Sequence, residues 1–334
     1  MSLRIGFVGV GYINGVHATA ARNVGATLAA VVNHRPETRA AFARTFGVPR
    51  VYDTVEALLA DGGVDALVVA TPNALHARQT IASLAAGVPV LVEKPMAFSP
   101  AECEAMLAAS QRSGAPLMVA HCWRFDDEVR WLRDHAAAVG AVVRTKGYSV
   151  HVGSGPTGWF VDPALSGGGA LVDMGIHAID TTRFLLGDPN PTSVYARLGT
   201  HYSAAAVDDT GVLLINWEGG AVSYIESGWW QPHCDGVAAA TQLYGVRGLA
   251  SLFPTRVRTH APDGGTLVVD DPGFAFPRAE HVPQSIYDRQ MTHFLECVRS
   301  GATPVPGGRE GLVNVKIVDA AYASARSGQV VEIT

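Results

Sequence analysis

Short, almost uninterrupted apolar runs recur at residues 3–8, 27–33, 64–70, 88–92 and 117–120. Ala66-Leu67-Val68-Val69-Ala70 offers no polar face, the pattern of a strand covered on both sides in a parallel sheet. Between the runs lie amphipathic segments at about 14–24, 36–46, 54–60, 75–86 and 99–113. Their starts are legible. Ser99-Pro100-Ala101-Glu102 supplies an N-cap, a proline for the first helical position and an acid for a capping box, and Asp53-Thr54-Val55-Glu56 reads similarly. Strand–helix alternation demands right-handed crossovers, so the expected fold is α/β, opening on a doubly wound parallel sheet.

After about residue 122 the rhythm changes. A helical stretch (126–138), a strand (142–152), a Gly-rich loop and a helix (170–186) precede strands at about 192–199, 212–217, 221–230, 240–253, 256–260 and 266–270. Turn signals such as Glu218-Gly219-Gly220 and Asp263-Gly264-Gly265 separate several of them, which predicts a largely antiparallel sheet. Helices at 284–300 and 309–327 close the chain. The 334 residues suit two domains, expected at 1–121 and 122–334.

Composition narrows the function. Hydrophobic residues make up 48% and charged ones 16%, outside the disordered range. The net charge of −5 argues against a partner whose phosphates must be neutralised, so no nucleic acid is expected. No apolar stretch approaches the roughly 20 residues of a membrane helix, and the opening run is too short for a signal-peptide core. Cys103, Cys122, Cys234 and Cys297 show no C-x-x-C spacing, which fits a reducing cytoplasm.

The first strand runs straight into Gly9-Val10-Gly11-Tyr12-Ile13-Asn14-Gly15, with a helix to follow. Gly9 permits a tight turn and Gly11 lets the backbone approach a pyrophosphate, which would rest on the helix N-terminus at Tyr12 and Ile13. Asn14 departs from the small residue expected at the third position of this fingerprint, and Gly15 does not restore it. The second strand ends at Val31-Val32-Asn33-His34-Arg35. An acid there would bind a ribose 2′-hydroxyl and repel a 2′-phosphate; uncharged Asn33 with Arg35 leans toward NADP(H) over NAD(H).

Three further segments narrow the identification. They are Ala70-Thr71-Pro72-Asn73-Ala74-Leu75-His76, Glu93-Lys94-Pro95, and Gly167-Gly168-Gly169 leading to Asp173-Met174-Gly175-Ile176-His177. With the Gly-x-Gly turn and His17, this ordered set resembles the glucose-fructose oxidoreductase / inositol dehydrogenase / rhizopine-catabolism (Gfo/Idh/MocA) family. The resemblance implies a Rossmann domain followed by an α/β domain whose open sheet mediates homodimers or homotetramers. It also implies an NAD(P)-dependent oxidoreductase acting on sugars, inositols or related polyols, with Lys94, Asp173 and His177 as the catalytic set. Thr71, Pro72, Asn73, His76 and Glu93 would then join Lys94 on the cofactor's nicotinamide side.

The residues themselves suit that chemistry. Oxidising a secondary alcohol needs a proton acceptor and a cation to steady the developing alkoxide. Histidine's unperturbed pKa lies near neutrality, which makes His177 the candidate acid/base, and Lys94 follows a parallel strand at the edge where such sheets place ligands. Asp173, four residues before His177 in a helical segment, faces the same way and is positioned to orient the imidazole or bind a hydroxyl. Pro95 restricts the Lys94 backbone and admits a cis bond there. Arg124, His151, Trp159 and Tyr287 are further candidates to line a sugar pocket, while Trp229-Trp230 reads as packing at a subunit face. No metal is expected, because Asp173, His177 and His121 lack a recognised ligand spacing. Two alternatives use the same Rossmann site: a dinucleotide-binding sensor or co-regulator without turnover, and NAD-dependent glycoside cleavage.

Overall fold

Ile5, Phe7 and Val8 of β1 (Arg4–Val8) are almost wholly inaccessible, as the apolar run requires of a strand at the centre of a sheet. Around it the chain lays down α1 (Tyr12–Asn23), β2 (Thr27–Val32), α2 (Pro36–Phe46), β3 (Arg50–Tyr52), α3 (Val55–Asp61), β4 (Ala66–Val69), α4 (His76–Ala85), β5 (Val90–Val92), α5 (Pro100–Ser113) and β6 (Leu117–Val119). The strands form one parallel sheet in the order β3-β2-β1-β4-β5-β6, a doubly wound arrangement. The helix caps form where the sequence places them. Ser99 and Glu102 make the reciprocal capping box of α5, and Thr54 accepts from the Ala57 amide to start α3. Three-residue β3 carries no periodicity and is an addition to the strands expected from sequence.

The computed structural model describes residues 2–153, 155–231, 238–261, 265 and 267–334. Cys234, Asp263 and Gly264, with most of the loop before residue 240, lie outside these. The chain divides into two compact units, Met1–Cys122 with Val282–Val315, and Trp123–His281 with Lys316–Thr334. The first crossing falls after Cys122. Two later crossings return residues 282–315 to the first unit, a division of which hydrophobic periodicity carries no sign. Within that unit α9 (Gln284–Ser300) packs on α1, and α10 (Gly308–Ser327) contributes Val315 to the core beneath β5 and β6.

The second unit contains α6 (Asp127–His135), β7 (Val142–Val152), α7 (Pro163–Ser166), α8 (Ile176–Leu186), β8 (Pro191–Gly199), β9 (Thr210–Trp217), β10 (Val222–Gln231), β11 (Ala239–Gly245), β12 (Gly248–Leu252), β13 (Arg256–His260), β14 (Leu267–Asp270) and β15 (Val331–Glu332). Their order is β14-β13-β12-β11-β7-β10-β9-β8-β15, antiparallel except for the β7–β10 pair. The expected single strand at 240–253 is two strands, because the chain reverses at Val246-Arg247 to pair β11 with β12.

Arg124, expected against a substrate, ties this unit together instead. Its guanidinium donates to both oxygens of Asp180, at 2.9 and 2.8 Å, and to both oxygens of Asp188, at 3.2 and 2.7 Å. The Phe184 ring lies 4.9 Å from the guanidinium carbon. With the Arg124 and Asp180 side chains each 2% exposed, removing one partner strands a buried charge, a loss of about 3–5 kcal/mol. Arg124→Leu should lower the stability of the full chain by that order in urea unfolding, and Arg124→Leu with Asp180→Leu should recover part of it.

Candidate active site

The turn after β1 is built as the fingerprint requires. Gly9 has φ +97°, and a Cβ there would lie 2.4 Å from the Ala70 carbonyl oxygen, so only glycine fits. Gly11 is the N-cap of α1, with no side-chain cap and no acid in the first turn. The leading amides are therefore left for an anion, and Tyr12 beside them is 89% exposed. Ile13 is half-buried. Asn14 turns the departure from the fingerprint into a tie. Wholly buried, it donates its side-chain amide to the carbonyls of Val8 and Gly9, at 2.9 and 2.8 Å, pinning helix to strand. At the end of β2, Asn33 donates to Thr38 Oγ1 at 2.7 Å, and Arg35, the N-cap residue of α2, is exposed.

The ends of β4 and β5 hold two buried histidines. His76 spans 2.9 Å contacts to the carbonyls of Thr71 and Pro95, so one ring links both loops. Burial holds it below the ordinary histidine range, against those carbonyls and the Glu93 charge. Thr71 donates to Gln79 Oε1 at 2.7 Å, Pro72 is half-buried beside it, and Asn73 is buried. His17 Nε2 meets Glu93 Oε1 at 2.7 Å, and the Tyr287 ring stands edge-on to His17 at 5.6 Å. Burial pushes Glu93 up, but the His17 hydrogen bond and the charges of His17 and Lys94 outweigh it and hold the carboxyl below its usual range. Lys94 is half-buried, and the Lys94–Pro95 bond is cis. Tyr287, expected in a substrate pocket, is placed against His17 and the Cys122 thiol, where burial raises its hydroxyl far above the usual phenol range.

Asp173 and His177 stand on a helix that changes pitch between them. Leu171–Gly175 is one π turn, with the Ile176 amide reaching the Leu171 carbonyl, and α8 continues from it. Such wide turns concentrate at functional sites. Asp173 is 9% exposed; its Oδ2 accepts from the Trp229 indole at 3.0 Å and lies 3.3 Å from His151 Nε2. The placement of Trp229 has a local cause. In the β7–β10 pairing Gly228 faces Val150 and Gln231 faces Val152, so Trp229 and Trp230 together oppose His151. This bulge, with Trp230 at φ +49°, leaves Trp229 wholly buried. His177 is half-buried and lines a narrow cavity with Trp123, Tyr148, Thr181 and Phe253. The His151 side chain is 42% exposed, whereas Trp159 stacks on Phe160 at 3.9 Å.

Sequence reasoning singles out Asp173, His177 and His151 as candidates but not the Trp229 indole, which donates to Asp173 Oδ2. Its one visible signal was a paired Trp in a strand, which reads equally as packing. His281, near His151, is pressed between Trp123 (5.0 Å) and Phe253 (6.3 Å).

Comparison with known proteins agrees with this fold. The family model described as "Oxidoreductase family, NAD-binding Rossmann fold" matches residues 3–121, and the GFO/IDH/MocA C-terminal domain model matches residues 132–251. D-xylose 1-dehydrogenase (NADP(+)) 2 of Haloferax volcanii is 31% identical, covering 91% of this chain and 92% of that protein. D-apiose dehydrogenase of Paraburkholderia graminis is 29% identical over 98% of this chain and 88% of its own. The structure of GenD2 from gentamicin A biosynthesis, in complex with NAD, superposes with a TM-score of 0.86 at 30% identity, covering 100% of this chain and 97% of that one.

Acid should weaken the fold through named groups. Burial and the Arg278 charge hold His281 at about 4, against 6.5 when unfolded. The unfolded chain then takes up a proton that the folded chain refuses, so stability is intact above about pH 6.5 and falls from there toward pH 4. Glu93, held below 4.5, contributes stability that is whole above that value and is lost as pH falls from there through its lower folded value. The urea midpoint should therefore be lower at pH 5 than at pH 7.5, and His281→Phe should shrink the difference.

Proposed function

Because this chain belongs to the Gfo/Idh/MocA oxidoreductase family, we propose that it transfers hydride between a nicotinamide dinucleotide and a secondary alcohol or ketone of a sugar, inositol or related polyol. The observation that carries this reading is the pair Asp173 and His177 on one helix, with Asp173 shielded from solvent and anchored by an indole N–H. The uncapped, acid-free N-terminus of α1 beyond Gly9 and Gly11 suits a pyrophosphate, so the residues present fit the cofactor. Gly9, Gly11, Tyr12 and Ile13 would hold its phosphates, and Thr71, Pro72, Asn73, His76, Glu93 and Lys94 its nicotinamide end.

When bound, the nicotinamide supplies the hydride acceptor or donor. His177 takes the hydroxyl proton during oxidation and returns it during reduction. Lys94 donates a hydrogen bond to the reacting oxygen and steadies its developing charge. Asp173, fixed by Trp229, orients the imidazole or accepts from a neighbouring substrate hydroxyl. His151, half-exposed beside Asp173, is the remaining substrate-side candidate, with Trp159 as an apolar platform.

Asn33 in place of an acid, together with Arg35, favours NADP(H), and the similar D-xylose dehydrogenase is named for NADP(+). A cytoplasmic homodimer or homotetramer formed through the nine-stranded sheet completes the proposal. In that sheet Tyr195, Leu214 and Tyr224 stand in register, with Leu214 43% exposed.

Absorbance at 340 nm across cyclitols, aldoses and anhydrosugars should show turnover with either cofactor, at higher kcat/KM with NADP+. Lys94→Ala and His177→Ala should each lower kcat roughly 100-fold or more while retaining cofactor binding. Turnover that survives Lys94→Ala intact would refute its assigned role. Arg35→Asp should move the cofactor preference toward NAD+.

A further inference from the structure

The helix bearing Asp173 and the strand bearing its indole partner are held by two consecutive acids, Asp208 and Asp209. Asp208 collects three successive amides at the start of that helix. Gly169 N–H donates to Oδ1 at 2.9 Å, Leu171 N–H donates to Oδ2 at 2.9 Å, and Ala170 N–H donates to the Asp208 carbonyl at 2.8 Å. The Tyr322 hydroxyl donates to the same Oδ1 at 2.6 Å. A Cβ on Gly169 would lie 1.8 Å from the Asp208 carbonyl oxygen, so the closeness depends on that glycine. Asp209 works on the other side. Its carbonyl accepts from the Trp229 amide at 2.7 Å. Its carboxylate accepts from the amides of His201, Tyr202 and Ser203, each at 2.8 Å.

The path closes on itself: Asp208 fixes the helix that carries Asp173, Asp209 fixes the backbone of Trp229, and the Trp229 indole returns to Asp173 Oδ2. We propose that the Asp208-Asp209 dipeptide is a positioning element that sets the Asp173 carboxylate against the Trp229 indole. Its effect on turnover rests on the catalytic role given to Asp173 above. Both acids fix main chain, Asp208 through its carboxylate and its carbonyl, Asp209 through its carbonyl to Trp229 and its carboxylate to residues 201–203. A carboxylate displaced by about 1 Å in such a site costs roughly 100-fold in rate.

Asp208→Asn, Trp229→Phe and the milder Tyr322→Phe test this in the full chain. Asp208→Asn replaces one accepting oxygen by an amide, and Trp229→Phe keeps the ring packing but removes the donor. Each of these two should lower kcat roughly 10- to 100-fold while leaving the cofactor Kd unchanged, with a smaller loss for Tyr322→Phe. On an Asp173→Asn background the three changes should lower kcat no further than about twofold, since they act through Asp173. Full additivity on that background would overturn the proposal.

Hydrogen exchange at the Trp229 indole N–H decides the same point without turnover. Asp208→Asn should speed it at least tenfold, or Tyr322→Phe should speed it measurably if the first variant does not fold. Unchanged exchange in a folded variant would overturn the positioning role. Full activity of Asp173→Asn would instead remove the catalytic reading of Asp173, leaving the exchange result to judge the dipeptide.

Discussion

A parallel sheet ends every strand at the same edge, and there the backbone loses the partners that satisfied it within the ladder. In the first unit this constraint organises nearly everything of chemical interest. Gly9 follows β1, Asn33 follows β2, Thr71 follows β4, and Glu93 and Lys94 follow β5. Two imidazoles share the task of stabilising that edge. His76 joins the loops after β4 and β5 through their carbonyls, and His17 reaches the Glu93 carboxylate from α1. The flexible ends of the strands thus become a fixed rim on which a ligand can be recognised without first ordering it.

The second unit solves the same problem with irregularity. A strict α-helix and an unbroken β7–β10 ladder would not place these side chains as they stand. One extra residue enters the helix as a π turn, and one extra residue enters the strand as a bulge; the Asp173–Trp229 hydrogen bond joins them. The indole N–H thereby satisfies one oxygen of a carboxylate that is shielded from solvent.

Much of this was legible in the sequence, for reasons tied to local chemistry. Apolar runs such as 66–70 announce a covered strand, Ser99 and Glu102 announce a cap, and Gly9 announces a turn that no side chain tolerates. The extra turn and the bulge are hidden because each is defined by a partner, the Leu171 carbonyl for the turn and the register with β7 for the bulge, that the local pattern does not name. Asn14 looked like a defect in a fingerprint because the amide's acceptors, the carbonyls of Val8 and Gly9, are visible only once the chain turns back on itself. Arg124 looked like a sugar ligand because its main partner, Asp180, is 56 residues away and nothing nearby signals the pairing. β3 and β15 are too short to carry a pattern. The roles proposed for Lys94, Asp173 and His177 rest on their company in an ordered set of motifs, not on any one spacing.

The return of residues 282–315 to the first unit bears on how the molecule is made. A nascent chain that has delivered its first 122 residues has every strand of the six-stranded sheet but lacks α9, Val315 and the ring of Tyr287 against His17. Its dinucleotide half is therefore completed only once residues 282–315 have been made, after every strand of the nine-stranded half except the last short one. Cutting the gene at the obvious pattern break would yield a sheet with an uncovered flank. Excising the intervening segment and rejoining Cys122 to Val282 through a short linker respects the unit as it is built.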